Sequence, residues 1–129
     1  MNTKILSWVV RVVAAIILLQ TLYFKFTGHP DSIHIFSKLG LEPTGRIGIG
    51  VLELITAALL LLPRTKAIGS LLGSGIMVGA VFFHLTQLGI NVNNDGGTLF
   101  FLAITVLVCC LIALGLHWRE LPFTKVLPK

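Results

Sequence analysis

Residues 46–63 read Arg-Ile-Gly-Ile-Gly-Val-Leu-Glu-Leu-Ile-Thr-Ala-Ala-Leu-Leu-Leu-Leu-Pro, an apolar run with one carboxylate, Glu53, near its middle. As a helix, this run puts Glu53 roughly 10–15 Å from either end, close to the centre of a ~30 Å hydrocarbon layer. An acidic side chain at that depth costs about 2.5–3.5 kcal/mol on insertion scales. The chain must neutralise that group, pair it or use it.

The setting for such a helix is a membrane. Apolar residues make up 55% of the 129 residues and charged residues only 12%, against about 25% in a soluble domain. The formal charge of +5 does not point to nucleic acid, because no basic patch is interleaved with aromatics and the charges cluster at helix ends. The two cysteines, Cys109 and Cys110, are adjacent inside an apolar run and suit packing rather than a disulfide.

The chain divides into four spans, at about 5–26, 45–62, 67–88 and 98–116, within one domain covering 1–129. The first is expected to be retained rather than cleaved, since Arg11 interrupts its start and no small-residue cleavage site closes it. Between spans one and two, Pro30-Asp31-Ser32 starts and Gly40 stops a short amphipathic interfacial helix, with Ile33, Phe36 and Leu39 on its apolar face. Thr44 is the expected N-cap of span two. The turn Arg64-Thr65-Lys66 is too short for anything but antiparallel neighbours. Span three carries two G-x-x-x-G pairs, Gly69/Gly73 and Gly75/Gly79, both read as close-packing sites. The fold class is thus an all-α integral membrane protein, an antiparallel four-transmembrane-helix bundle.

Lys4, Arg11, Arg64, Lys66, Arg119, Lys125 and Lys129 fall on one side of this topology, and Lys25, Lys38 and Arg46 on the other. That imbalance places both termini in the cytoplasm, with a bacterial cytoplasmic membrane as the expected location. The tail through Lys129, with Pro122 and Pro128, is expected to lie along the surface.

The antiparallel order collects the polar groups of the spans in the outer half, leaving the inner half almost purely apolar. Arg46, Gly50, Glu53 and Ala57 form one stripe on span two, and Gly73, Met77, Ala80, His84 and Gln87 one on span three. Facing each other, they would leave an outward-opening pocket with Glu53 as floor, Lys25, Gln20 and His84 as walls, and Arg46 and Gln87 near the mouth. Glu53 would be protonated or paired with His84 or Lys25. The same groups can instead simply lock the helices by hydrogen bonds. Phe24, Phe83 and Phe100 are candidates to line the pocket for a flat ring such as a quinone head group, beside their use in an interfacial belt. No catalytic constellation is visible. No metal site is expected either: Asn91-x-Asn93-x-Asp95-Gly96 starts like a calcium loop, but Leu102 stands where the bidentate Glu is due.

Phe24-Lys25-Phe26-Thr27-Gly28, Arg46 with Gly50 and Glu53, Gly79-Ala80 with His84, and Asp95-Gly96-Gly97 come in the order in which the chain resembles the DoxX-like family. The resemblance covers nearly the whole chain. It implies a compact four-helix membrane bundle and a family of diverse roles, among them the membrane part of a quinone-linked oxidoreductase. Three functions follow as expectations. The favoured one is a non-catalytic module that binds a small amphiphile or a partner's membrane segment in the outer-half pocket. The others are a quinone-interacting subunit working with a membrane or soluble redox partner, and a small proton-linked carrier.

Overall fold

The computed structural model describes residues 2–92 and 95–122 and is helical throughout, with no strand among the described residues. Asn93 and the tail with Lys125, Pro128 and Lys129 lie outside the described residues. Helix α1 spans Thr3–Thr27, α2 Pro30–Lys38, α3 Thr44–Leu61, α4 Lys66–Phe83 and α5 Thr98–His117. A π-helical turn, His84–Leu88, continues α4, and a 3-10 turn, Trp118–Glu120, follows α5. Four of these segments, all but α2, are long and apolar enough to cross a membrane.

Local chemistry sets the ends. The Asn2 side chain accepts from the Lys4 amide at 2.8 Å and starts α1. Gly28, at φ 69°, stops it in the left-handed region that favours glycine. Pro30 fixes the first turn of α2, and the His29 ring, not a serine or aspartate, caps it by accepting from the Asp31 amide at 3.1 Å. Thr44 is the first residue of α3 rather than its cap; Pro43 takes that place without a side-chain bond.

The four long helices form a ring in which α1 packs on α3 and α5, and α4 packs on the same two. Its core is small and apolar, with Ala14, Ala15, Leu18, Ala57, Leu60, Val106, Cys110 and Ala113 almost wholly covered. Helix α2 lies across one end, touching α1, α3 and the π turn. It turns Ser32, Ile35, Phe36 and Leu39 inward, while Ile33, expected on that face, is 37% exposed. A spacing of i, i+3, i+4, i+7 fits the pitch of a helix better than i, i+3, i+6.

The two glycine pairs of α4 behave differently. A Cβ on Gly69 would stand 2.7 Å from the Leu60 backbone nitrogen, and one on Gly73 2.7 Å from the Cys110 sulfur. These two let α4 press against α3 and α5, as small residues do in lipid. A Cβ on Gly75 or Gly79 would meet nothing within 4 Å. That pair does not pack closely, contrary to expectation. Gly69→Val should therefore cost about 1–3 kcal/mol through overpacking, read as a lower unfolding midpoint in detergent, whereas Gly75→Ala should unfold at or above the wild-type midpoint.

Candidate functional site

Lys25 ends α1 on the same side of the bundle as α2. Its Nζ lies 3.0 Å from Glu53 Oε1, midway along α3, and the two side chains are 16% and 4% exposed. Of the partners left open by sequence, Lys25 is the one that pairs with Glu53. Thr21, one turn before Lys25 on the same face, sets its hydroxyl 3.4 Å from the other carboxylate oxygen. That hydroxyl also donates to the Leu18 carbonyl at 2.9 Å. A charge removed from water needs such company, because breaking a buried pair costs more than never having built it.

Arg46 takes a different place from the one expected. Its Nε donates to both Glu42 oxygens, at 2.9 and 3.0 Å, and Nη1 donates to the Lys25 backbone carbonyl. It is a buried clamp that fixes the backbone of the residue holding Glu53, and it does not line the cavity beside that pair. Gly50 belongs to the same joint: a Cβ there would stand 2.8 Å from the Phe26 ring.

The cavity occupies about 650 Å³ between α1, α3, α4 and α5, with α2 over one end. Lys25, Glu53, Gln20, His84, Phe24 and Phe83 all line it. Gln20 does so from an exposed position, at the rim. Gln87 is exposed and does not reach the cavity. The π turn explains this, since one extra residue per turn rotates Gln87 away while His84 and Leu88 stay buried. Phe100 stands behind the wall, edge-on to the His84 ring at 5.5 Å between centroids. Gly75 and Gly79 line the cavity with backbone alone. The bare stretch of α4 is thus one of the reasons that the space exists.

His84 closes the π turn twice. Its carbonyl accepts from the Gly89 amide at 2.8 Å, and its ring Nδ1 lies 3.0 Å from the Gly89 carbonyl. Asp31, Ser32 and Asp95 also line the cavity, and sequence reasoning missed them as it did Thr21. The i, i+4 spacing of Thr21 and Lys25 was a usable signal. Nothing in the sequence said that α2 would fold back over the bundle. Asp95 accepts from the amides of Val92, Gly97 and Leu99 at 3.0, 2.8 and 3.1 Å. Burial raises its pKa, but those backbone amides outweigh burial, and the carboxyl is held below its usual range. Among the described residues no group of three potential metal ligands occurs.

The opposite end is not purely apolar. Arg11, which interrupts the start of span one, is 3% exposed. It donates to the Ser7 hydroxyl at 3.0 Å and the Leu60 carbonyl at 2.7 Å, with the Trp8 ring 4.2 Å from its guanidinium carbon. Ser7 lies 2.6 Å from His117 Nε2, whose Nδ1 lies 2.8 Å from Glu120, and Glu120 pairs with Lys66 at 2.9 Å. This chain of contacts joins α1, α3, α4 and α5. The signal was Arg11 itself, two turns inside α1 and beyond easy reach of water.

The sequence model of the DoxX-like family matches residues 9–115, a stretch that takes in the four long helices almost entirely. No curated protein and no solved structure matches the chain.

Two outcomes follow from the site. Lys25→Met should cost about 3–5 kcal/mol by stranding a buried carboxylate, and Lys25→Met/Glu53→Gln should recover most of it, measured as unfolding midpoints in detergent. Because folding depresses the Asp95 pKa, its contribution is present above the unfolded value, near 3.8, and lost as pH falls through the folded one. Protection factors of the Val92, Gly97 and Leu99 amides, taken relative to intrinsic exchange, should fall on acidification in that window, and the pH dependence should flatten in Asp95→Asn.

Proposed function

The chain belongs to the DoxX-like family and is an integral membrane protein, and from that premise we propose that it is a non-catalytic module holding a small amphiphile in the cavity beside Lys25 and Glu53. The carrying observation is the distribution of chemistry around about 650 Å³ of space. Ile76, Met77, Leu102 and Val106 give it apolar walls, while Lys25, Glu53, His84 and Ser32 gather toward the α2 end. Sites for small molecules have this volume and this mixture, with mostly apolar walls and a few convergent polar groups. An amphiphile has the matching halves.

On this reading Glu53 lies within the bilayer, and the α2 end faces away from the cytoplasm. Lys4, Arg11, Arg64, Lys66 and Arg119 then mark the cytoplasmic side, as the excess of positive charge favours. The ion pair gives the polar half of the site a fixed dipole without net charge. The route to the cavity is from the lipid or from the rim at Gln20, and its occupant shares the bilayer's chemistry.

Gly79→Leu tests the proposal, because the added side chain enters open space rather than the core. Wild-type protein released from native membranes into a mass spectrometer should carry a bound amphiphile. Gly79→Leu should carry about tenfold less, as the loss of ~1.4 kcal/mol of affinity gives, with an unchanged unfolding midpoint. Equal occupancy in the two proteins, or an empty wild type, would sink the proposal.

A further inference from the structure

We infer that the cavity selects an amphiphile whose head is a neutral hydroxyl, held between the His84 ring and the Lys25 ammonium. The inference rests on the amphiphile reading above and adds the chemistry of the head group.

His84 carries the argument. A carbonyl oxygen only accepts, so the contact with Gly89 puts the proton of the neutral ring on Nδ1. Nε2 is then a bare lone pair, and it has no partner among the described residues. Yet no fully covered side-chain nitrogen or oxygen among them lacks a partner. Nε2 therefore keeps some surface. His84 is only 6% exposed and lines the cavity, so that surface lies on the cavity. The π turn and the edge of Phe100 hold the ring in place. The result is a fixed acceptor at the polar end of the cavity.

Two further groups narrow the choice. Lys25 has three N–H donors and, among the described residues, one partner, Glu53. Ser32, 6% exposed, lines the cavity from α2, and its hydroxyl has no partner among the described residues. The uncommitted groups thus include a fixed acceptor, ammonium donors and a hydroxyl that does both. A hydroxyl head donates to Nε2 and accepts from Lys25 or Ser32. A carboxylate has no proton for Nε2 and adds charge beside Glu53, Asp31 and Asp95, which face the same space. An ammonium can donate to Nε2 but has no lone pair, so it leaves the Lys25 donors without an acceptor. A quinone's carbonyls accept only and leave Nε2 bare. Leaving such a buried acceptor without a donor is what makes the match selective.

The test uses the full chain in lipid nanodiscs with a photoactivatable alkyl alcohol as probe. Dodecanol, its methyl ether, dodecylamine and dodecanoic acid compete for labelling of cavity residues. Dodecanol should compete about tenfold better than the ether, which keeps the acceptor and loses the donor. In protein with nitrogen-15 histidine, dodecanol should move the His84 Nε2 resonance and the ether should not. Gly79→Leu should cut labelling about tenfold. Equal competition by alcohol and ether, or stronger competition by acid or amine, would overturn the hydroxyl assignment while leaving an amphiphile site in place. Labelling that no amphiphile displaces and Gly79→Leu does not change would overturn both.

Discussion

Glu53 is 3% exposed with an ammonium 3.0 Å away, and much of that end of the molecule keeps the two together. At an effective dielectric of about 20, charges at this separation attract by roughly 5–6 kcal/mol, much of it offset by their desolvation. The margin depends on geometry. Lys25 is a long side chain on the last turn of α1, where a helix frays. Arg46 removes that freedom by gripping the Lys25 carbonyl, and Glu42 holds Arg46 in turn. Gly28 ends α1 beside the same guanidinium. Two ion pairs are stacked in this way, the outer one fixing the backbone that carries the inner.

Glycine does two opposite jobs on α4. At Gly69 and Gly73 the missing side chain brings neighbours into contact. At Gly75 and Gly79 it leaves space that no neighbour fills, and the cavity lies there. Sequence spacing cannot separate the two uses, since both pairs have the same form. What separates them is which neighbour lies opposite. Leu60 and Cys110 close in on the first pair, while nothing comes within 4 Å of a Cβ placed on either glycine of the second.

The fold was legible because lipid leaves few solutions: four long apolar runs, a four-residue connection and helix-end signals define the bundle nearly to the residue. The Lys25–Glu53 pair was legible in part, as one of the alternatives that depth along the helices allowed. Arg46 was not, because a guanidinium at i+4 from Glu42 has a local partner that outcompetes a distant carboxylate. Gln87 was misplaced because a uniform helical pitch was assumed where the backbone widens into a π turn. The burial of Arg11 was not legible because the Leu60 carbonyl that takes its guanidinium belongs to another helix. The missing information was a contact between helices far apart in the chain at Arg11, a change of pitch at Gln87 and a local pairing one turn away at Arg46.

The ring of long helices has four seams, and the chain bridges only three of them. Residues 62–65 link α3 to α4, the 89–97 turn links α4 to α5, and α2 with its flanks links α1 to α3. No described segment joins α5 back to α1. Ser7 and His117 are the stitch there, 2.6 Å apart, with Arg11 and Glu120 behind them. Parting α1 from α5 stretches no loop, so the bundle is a bracelet with a clasp, and the clasp is made of side chains.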